Sequence, residues 1–276
     1  MTSTDTPTTP FPPPYDAAQR VTQLRVLRSE WTKLRSVAST AWSLLATVAL
    51  VAGVGVLYSL LRVTRPPRDP AAVAAFDPTA VSLAGVQLAQ LAVGVLGVLL
   101  VTGEYASGTV RSSFAAVPRR LPVLWAKAVA LGGTTLALSL PASFAAFLAG
   151  QSILSAEGLD TDLGVPGVAR AVLGGALYLT AIGLLGLSLG ALLRSTAGAV
   201  AALFGALFGL QLVVSLAPEP WSERITRFLP APAGLAVTSV DPDPSSLGPW
   251  AGLGVLCAWV AVVLAVAAWR LRRRDA

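Results

Sequence analysis

TAWSLLATVALVAGVGVLYSLL, residues 40–61, contains no Asp, Glu, Lys or Arg. A helix needs about 20 such residues to cross the ~30 Å hydrocarbon core of a bilayer. Five further apolar stretches of similar length follow, at roughly 80–102, 123–149, 168–192, 196–217 and 249–269. The chain as a whole agrees with them. Of its 276 residues 54% are hydrophobic and only 12% charged, and the mean hydropathy is +0.70. Soluble domains carry about 25% charged residues, so a water-soluble fold of this length could not cover so much apolar surface. The reading is an all-α polytopic membrane protein with six transmembrane helices.

Residues 1–19 (MTSTDTPTTPFPPPYDAAQ) are rich in Thr and Pro and show no apolar period, which predicts a disordered cytoplasmic tail. Across residues 20–39 the pattern changes. Leu24, Leu27, Trp31 and Leu34 recur at helical spacing, with Arg25 and Lys33 pointing away and Arg28 and Arg35 at the flanks. That predicts an amphipathic helix lying in the headgroup region, its long basic side chains snorkelling to water. Residues 40–276 then form the six-helix domain.

Orientation follows from the basic residues. With both ends in the cytoplasm, fourteen of the twenty Lys and Arg fall on the cytoplasmic side. Only Arg62, Arg65, Arg68, Arg170, Arg224 and Arg227 are then external. The positive-inside rule therefore favours an N-in, C-in arrangement. The same rule accounts for the net charge of +6 without nucleic acid. Spans four and five are joined only by Leu193, Arg194 and Ser195, which predicts a tight helical hairpin. Pro141 predicts a kink in the third span. The external segment 218–248, rich in Pro and flanked by Trp221 and Trp250, is expected to dip back into the outer interface.

Several kinds of chemistry are disfavoured. The chain has no histidine, which removes the commonest metal ligand and general base, and the single Cys257 lies in an apolar span. Lys33 and Lys127 are followed by Leu and Ala, so no phosphate-cradling G-x-x-x-x-G-K-[ST] loop exists. No enzyme active site and no bound cofactor is expected. The span interiors read as free of fixed charge, which argues against an ion-coupled carrier. Their strongly polar residues are Gln87 and Gln90, which share a face, and Gln211. These are candidates for lining a pathway, with interhelical hydrogen bonding as the alternative. Three G-x-x-x-G spacings, Gly186–Gly190, Gly205–Gly209 and Gly248–Gly252, read as close helix packing.

The most specific stretch is GEYASGTVRSSFAAVPRRLPVLWAK, residues 103–127, between spans two and three. Glu104 stands at the membrane edge, where a carboxylate needs a partner. Gly108 permits a tight backbone, and Arg111, Arg119 and Arg120 hold the segment in the cytoplasm. From physics alone a basic loop serving topology explains it equally well. The order Glu104, Gly108, Thr109, Arg111, Pro118, Arg119, Arg120, Lys127 resembles the cytoplasmic loop of type-2 ATP-binding-cassette (ABC) transporter permeases. RSEWTKLRS (28–36) resembles the interfacial entry helix of that family, and FLPAPAGLA (228–236) its segment before the last helix.

The resemblance implies a multi-pass permease subunit in a bacterial plasma membrane, dimerising with a second permease copy or paralogue. A separately encoded ATPase carrying ATP-Mg would dock on its cytoplasmic face and power export of a hydrophobic or amphipathic substrate. Residues 104–120 would make that contact, with Glu104 and Arg111 in a local salt-bridge network. The competing reading is a non-transporting membrane scaffold whose basic face recruits a partner without ATP.

Overall fold

The computed structural model describes residues 22–66, 69, 76–108, 120–241, 243 and 245–273, and the side chain of Arg120 is not among the described groups. Helix α1 (Gln23–Ser36) is followed, after an extended Val37, by α2 (Ala38–Thr64). A short α3 (Pro78–Ser82) precedes α4 (Gly85–Ala106). Then come α5 (Arg120–Leu154), α6 (Val168–Leu193) and α7 (Thr196–Ser215). Two short helices, α8 (Trp221–Thr226) and α9 (Pro230–Leu235), lead to α10 (Pro249–Arg273). Among the described residues there are helices and turns and no strands.

Six of these helices, α2, α4, α5, α6, α7 and α10, are long and apolar enough to cross a membrane. They fall where the apolar spans predict, with one displacement. The second helix begins at Gly85 rather than near residue 80, because Asp77 starts a separate turn of helix first. The Asp77 carboxylate accepts from the backbone N–H groups of Thr79 and Ala80 at 2.8 and 2.9 Å, a side-chain N-cap with proline at the first position. The chain then turns at Leu83 and Ala84 before the long helix starts. Gly85 is placed at that restart by space: a Cβ there would meet the carbonyl oxygens of Leu50 and Val51. Pro141 sits inside α5, which runs unbroken from Arg120 to Leu154.

α6 is the centre of the bundle. Two thirds of its most apolar window is buried, against 17–28% for α2, α7 and α10. Its glycines are the cause. Cβ atoms at Gly186 and, across the interface, at Gly97 would collide with the carbonyl oxygens of Gly94 and Gly183, so α4 and α6 meet backbone to backbone. Without a hydrophobic force between helices in lipid, such close approach supplies the dispersion contact that holds them. Gly190 packs likewise against Val98 and Gly252 against Ala233. Gly205, Gly209 and Gly248 face open space, so the glycines of the second G-x-x-x-G spacing meet no other backbone closely among the described residues. Gly205–Gly209 instead form a π-helical turn in α7.

The hairpin between α6 and α7 closes as the three-residue linker predicts. Arg194 turns the chain with φ +57°, and the Ser195 hydroxyl caps α7 through Gly198 N–H. The large apolar side chains on the outside, such as Leu57, Val129, Leu148, Leu212 and Val262, are covered by nothing within the chain. This is the surface expected of a multi-pass membrane protein.

Candidate functional site: a buried four-charge junction

α1 packs on the start of α5 and reaches the end of α4 through Glu104. It buries Val26, Glu30 and Leu34, three positions at four-residue spacing, while Leu24 and Trp31 are exposed. Glu30 is therefore a carboxylate on the packed face of an otherwise basic helix, with its side chain 3% exposed. Left alone it would carry a heavy desolvation cost. It is not alone.

Lys127, two turns into α5 and 5% exposed, reaches Glu30 Oε2 at 2.5 Å and Glu104 Oε1 at 2.6 Å. Lys33 reaches Glu30 Oε1 at 2.7 Å and Glu104 Oε1 at 3.1 Å. Two carboxylates and two ammonium groups, drawn from three helices, thus form a ring. Glu30 uses both its oxygens, the geometry that lets a desolvated ion pair offset its burial. Lys33, 40% exposed, forms the wet side of the ring. Burial is the largest single influence on its ammonium and opposes the charge, but the hydrogen bonds and charges of Glu30 and Glu104 together outweigh it and raise its pKa.

The same end of the bundle holds further polar ties. Thr196 at the start of α7 donates to Thr102 at 2.9 Å, and Arg270 near the end of α10 donates to the Leu192 carbonyl at 3.0 Å. The Arg194 guanidinium lies 5.4 Å over the Tyr105 ring, and its Nε and Nη2 are buried with no hydrogen-bond partner among the described residues. Every spanning helix except α2 therefore has a polar contact at or beside this junction. α2 is tethered to it through Val37.

No family model matches the chain, and no curated protein matches it. The junction must be read from its own geometry.

Of the residues singled out in the sequence, Glu104 is in the ring. Gly108 follows α4 with φ +72° and open space around its Cα, a backbone only glycine adopts without strain. Arg120 begins α5. Thr109, Arg111, Pro118 and Arg119 lie outside the described residues. The described partners of Glu104 are Lys127 and Lys33.

The three glutamines separate. Gln90 is buried, accepts a short hydrogen bond from the Tyr178 hydroxyl and donates to the Gln87 carbonyl at 2.8 Å. That is an interhelical bond between α4 and α6. Gln87 itself is exposed. Gln211 lines a cavity of about 430 Å³ at the far end of α7.

Two polar groups escaped the sequence reading. Glu30 was not singled out in the sequence, and nothing in its spacing named its partners. Gln151, beyond the expected end of the third span, donates to the Pro78 carbonyl and the Ser82 hydroxyl at 3.0 and 2.9 Å. It also accepts from Thr161 N–H at 2.8 Å, tying α5 to α3 and the following turn.

Proposed function

We propose that this chain is the membrane-spanning permease subunit of an ABC-type exporter, driven by an ATPase on a separate chain. The observation that carries the reading is the Glu30–Lys33–Glu104–Lys127 ring. Residues 103–127, the segment that resembles the permease coupling loop, run from the end of α4, which supplies Glu104, to the first turns of α5, which supply Lys127. A push on that segment by a docked ATPase would pass through Glu104 and Lys127 into α4, α5 and α1 at once. A charge ring suits this task because it is directional and stiff, whereas apolar contacts in lipid slide. Energy would enter as differential affinity, the ATPase binding one arrangement of the helices better than the other.

In this reading both termini lie in the cytoplasm and α1 lies in the inner headgroup layer, with exposed Leu24 and Trp31 toward lipid. The chain works as a dimer in a bacterial plasma membrane and exports a hydrophobic or amphipathic compound. The test is affinity purification of the tagged chain from its native membrane in mild detergent, with the co-purifying chains identified and counted. The expected result is a stoichiometric partner carrying a P-loop, with ATPase activity in the preparation, and loss of that partner with Glu104→Ala at normal expression. A chain that reproducibly emerges alone, or with a partner that hydrolyses no nucleotide, overturns the proposal in favour of a scaffold.

A further inference from the structure

α7 begins beside the charge ring and ends, 20 residues later, at the opposite end of the bundle. There an open cavity of about 430 Å³ lies between the end of α7, helix α8 and the turn before α10. That volume is within the range of small-molecule sites, but the lining is unlike theirs. Most of the residues around it are polar, with Gln211 and Ser215 on α7, Glu219, Glu223 and Arg227 around α8, and Ser246 opposite.

The charges in this cavity are unspent. Among the described residues neither Glu219, Glu223 nor Arg227 is in an ion pair, although Glu223 and Arg227 are one helical turn apart. The Arg227 guanidinium instead lies 5.1 Å over the Phe228 ring. Two carboxylates and one guanidinium, all three on exposed residues, thus line one cavity, a set that suits a ligand carrying both signs of charge.

A second observation specifies the rest of that ligand. Leu212, Val213 and Leu216, interleaved with the polar residues on the same end of α7, are 67%, 66% and 81% exposed. Trp221 and Phe228 beside the cavity are exposed as well. A cavity ringed by charged and polar residues beside an apolar wall, at the end of a membrane-length helix, matches an amphiphile with its head in the cavity and its chains on the wall.

We propose that this cavity holds the headgroup of a zwitterionic amine phospholipid, its ammonium between Glu219 and Glu223 and its phosphate on Arg227. Gln211, Ser215 and Ser246 add neutral donors and acceptors. An anionic lipid without an amine would meet two uncompensated carboxylates, so the cavity selects by charge. The inference does not rest on coupling to an ATPase.

The test uses the purified full chain in detergent, incubated with phosphatidylethanolamine, phosphatidylglycerol or free phosphoethanolamine, with bound species counted by native mass spectrometry. Phosphatidylethanolamine should be retained in preference to phosphatidylglycerol. Retention should fall about tenfold in Glu219→Gln/Glu223→Gln and, separately, in Arg227→Gln, the scale of one charge-assisted hydrogen bond. Equal retention of the two lipids by the unaltered chain overturns the proposal without any variant. Unchanged retention in both variants does so too. Binding of free phosphoethanolamine as strong as that of the lipid would make the ligand a soluble zwitterion and overturn the lipid assignment.

Discussion

Replacing Lys127 with Met keeps the length and most of the volume of the side chain and removes one charge. The structure says what remains: Glu30 and Glu104, two carboxylates 3% and 17% exposed, both formerly bonded to the same Nζ at 2.5 and 2.6 Å. Among the described residues Lys33 would remain as the cation bonded to both. Breaking a buried ion pair by deleting one partner costs about 3–5 kcal/mol, most of it the penalty of the charge left behind. Lys33→Met is the internal control. Its side chain is 40% exposed, and its loss leaves each carboxylate still bonded to Lys127, so it should cost about 1 kcal/mol or less. For a chain of this size each kcal/mol moves the melting temperature by about 2–4 °C, which puts Lys127→Met on the order of 10 °C below the unaltered protein. The assay is thermal unfolding in detergent followed by tryptophan fluorescence, with Trp31 on the helix expected to undock. Adding Glu30→Gln to Lys127→Met should restore part of the loss, since one orphaned charge disappears and Glu104 keeps Lys33. Melting of Lys127→Met within about 2 °C of the unaltered chain, or equal damage from Lys33→Met, would refute the stabilising role of Lys127 in the ring.

Two further outcomes are expected. Gly97→Val drives a side chain into the backbone of α6 at Gly183 and Leu187 and should destabilise by about 3 kcal/mol or more, whereas Gly205→Val, facing open space, should change stability by less than about 1 kcal/mol; melting temperatures of the pair decide it. Tyr178→Phe removes the hydroxyl that donates to Gln90 and should cost about 0.6–1.7 kcal/mol, and a Tyr178→Phe/Gln90→Leu double variant should cost less than the two single changes together; a double-mutant cycle measures the difference.

The six long helices were legible because membrane insertion imposes a length and a composition on each span independently of its neighbours. The tight α6–α7 hairpin followed from a three-residue linker for the same local reason. The start of α4 was not legible, since an Asp77 cap and a glycine placed for backbone contact decided it, and a hydropathy run does not register either. Glycine spacing was an equally poor guide. Gly186–Gly190 and Gly205–Gly209 look alike in the chain, but only the first has another backbone across from it.

The charge ring shows the division most clearly. Glu104 could be recognised as a carboxylate in need of a partner, because a charge at the edge of an apolar run is anomalous by itself. Lys127 read as one more topology-setting cation, and Glu30 as an unremarked acid in a basic helix. What the chain alone determined is the membrane-length α-helical architecture, since hydrophobicity and helical period are properties of contiguous residues. Only the tertiary structure could bring Glu30 to Lys127, 97 positions away. That pairing depends on how α1 packs on the start of α5, and ionic attraction carries no sequence period by which it could be read.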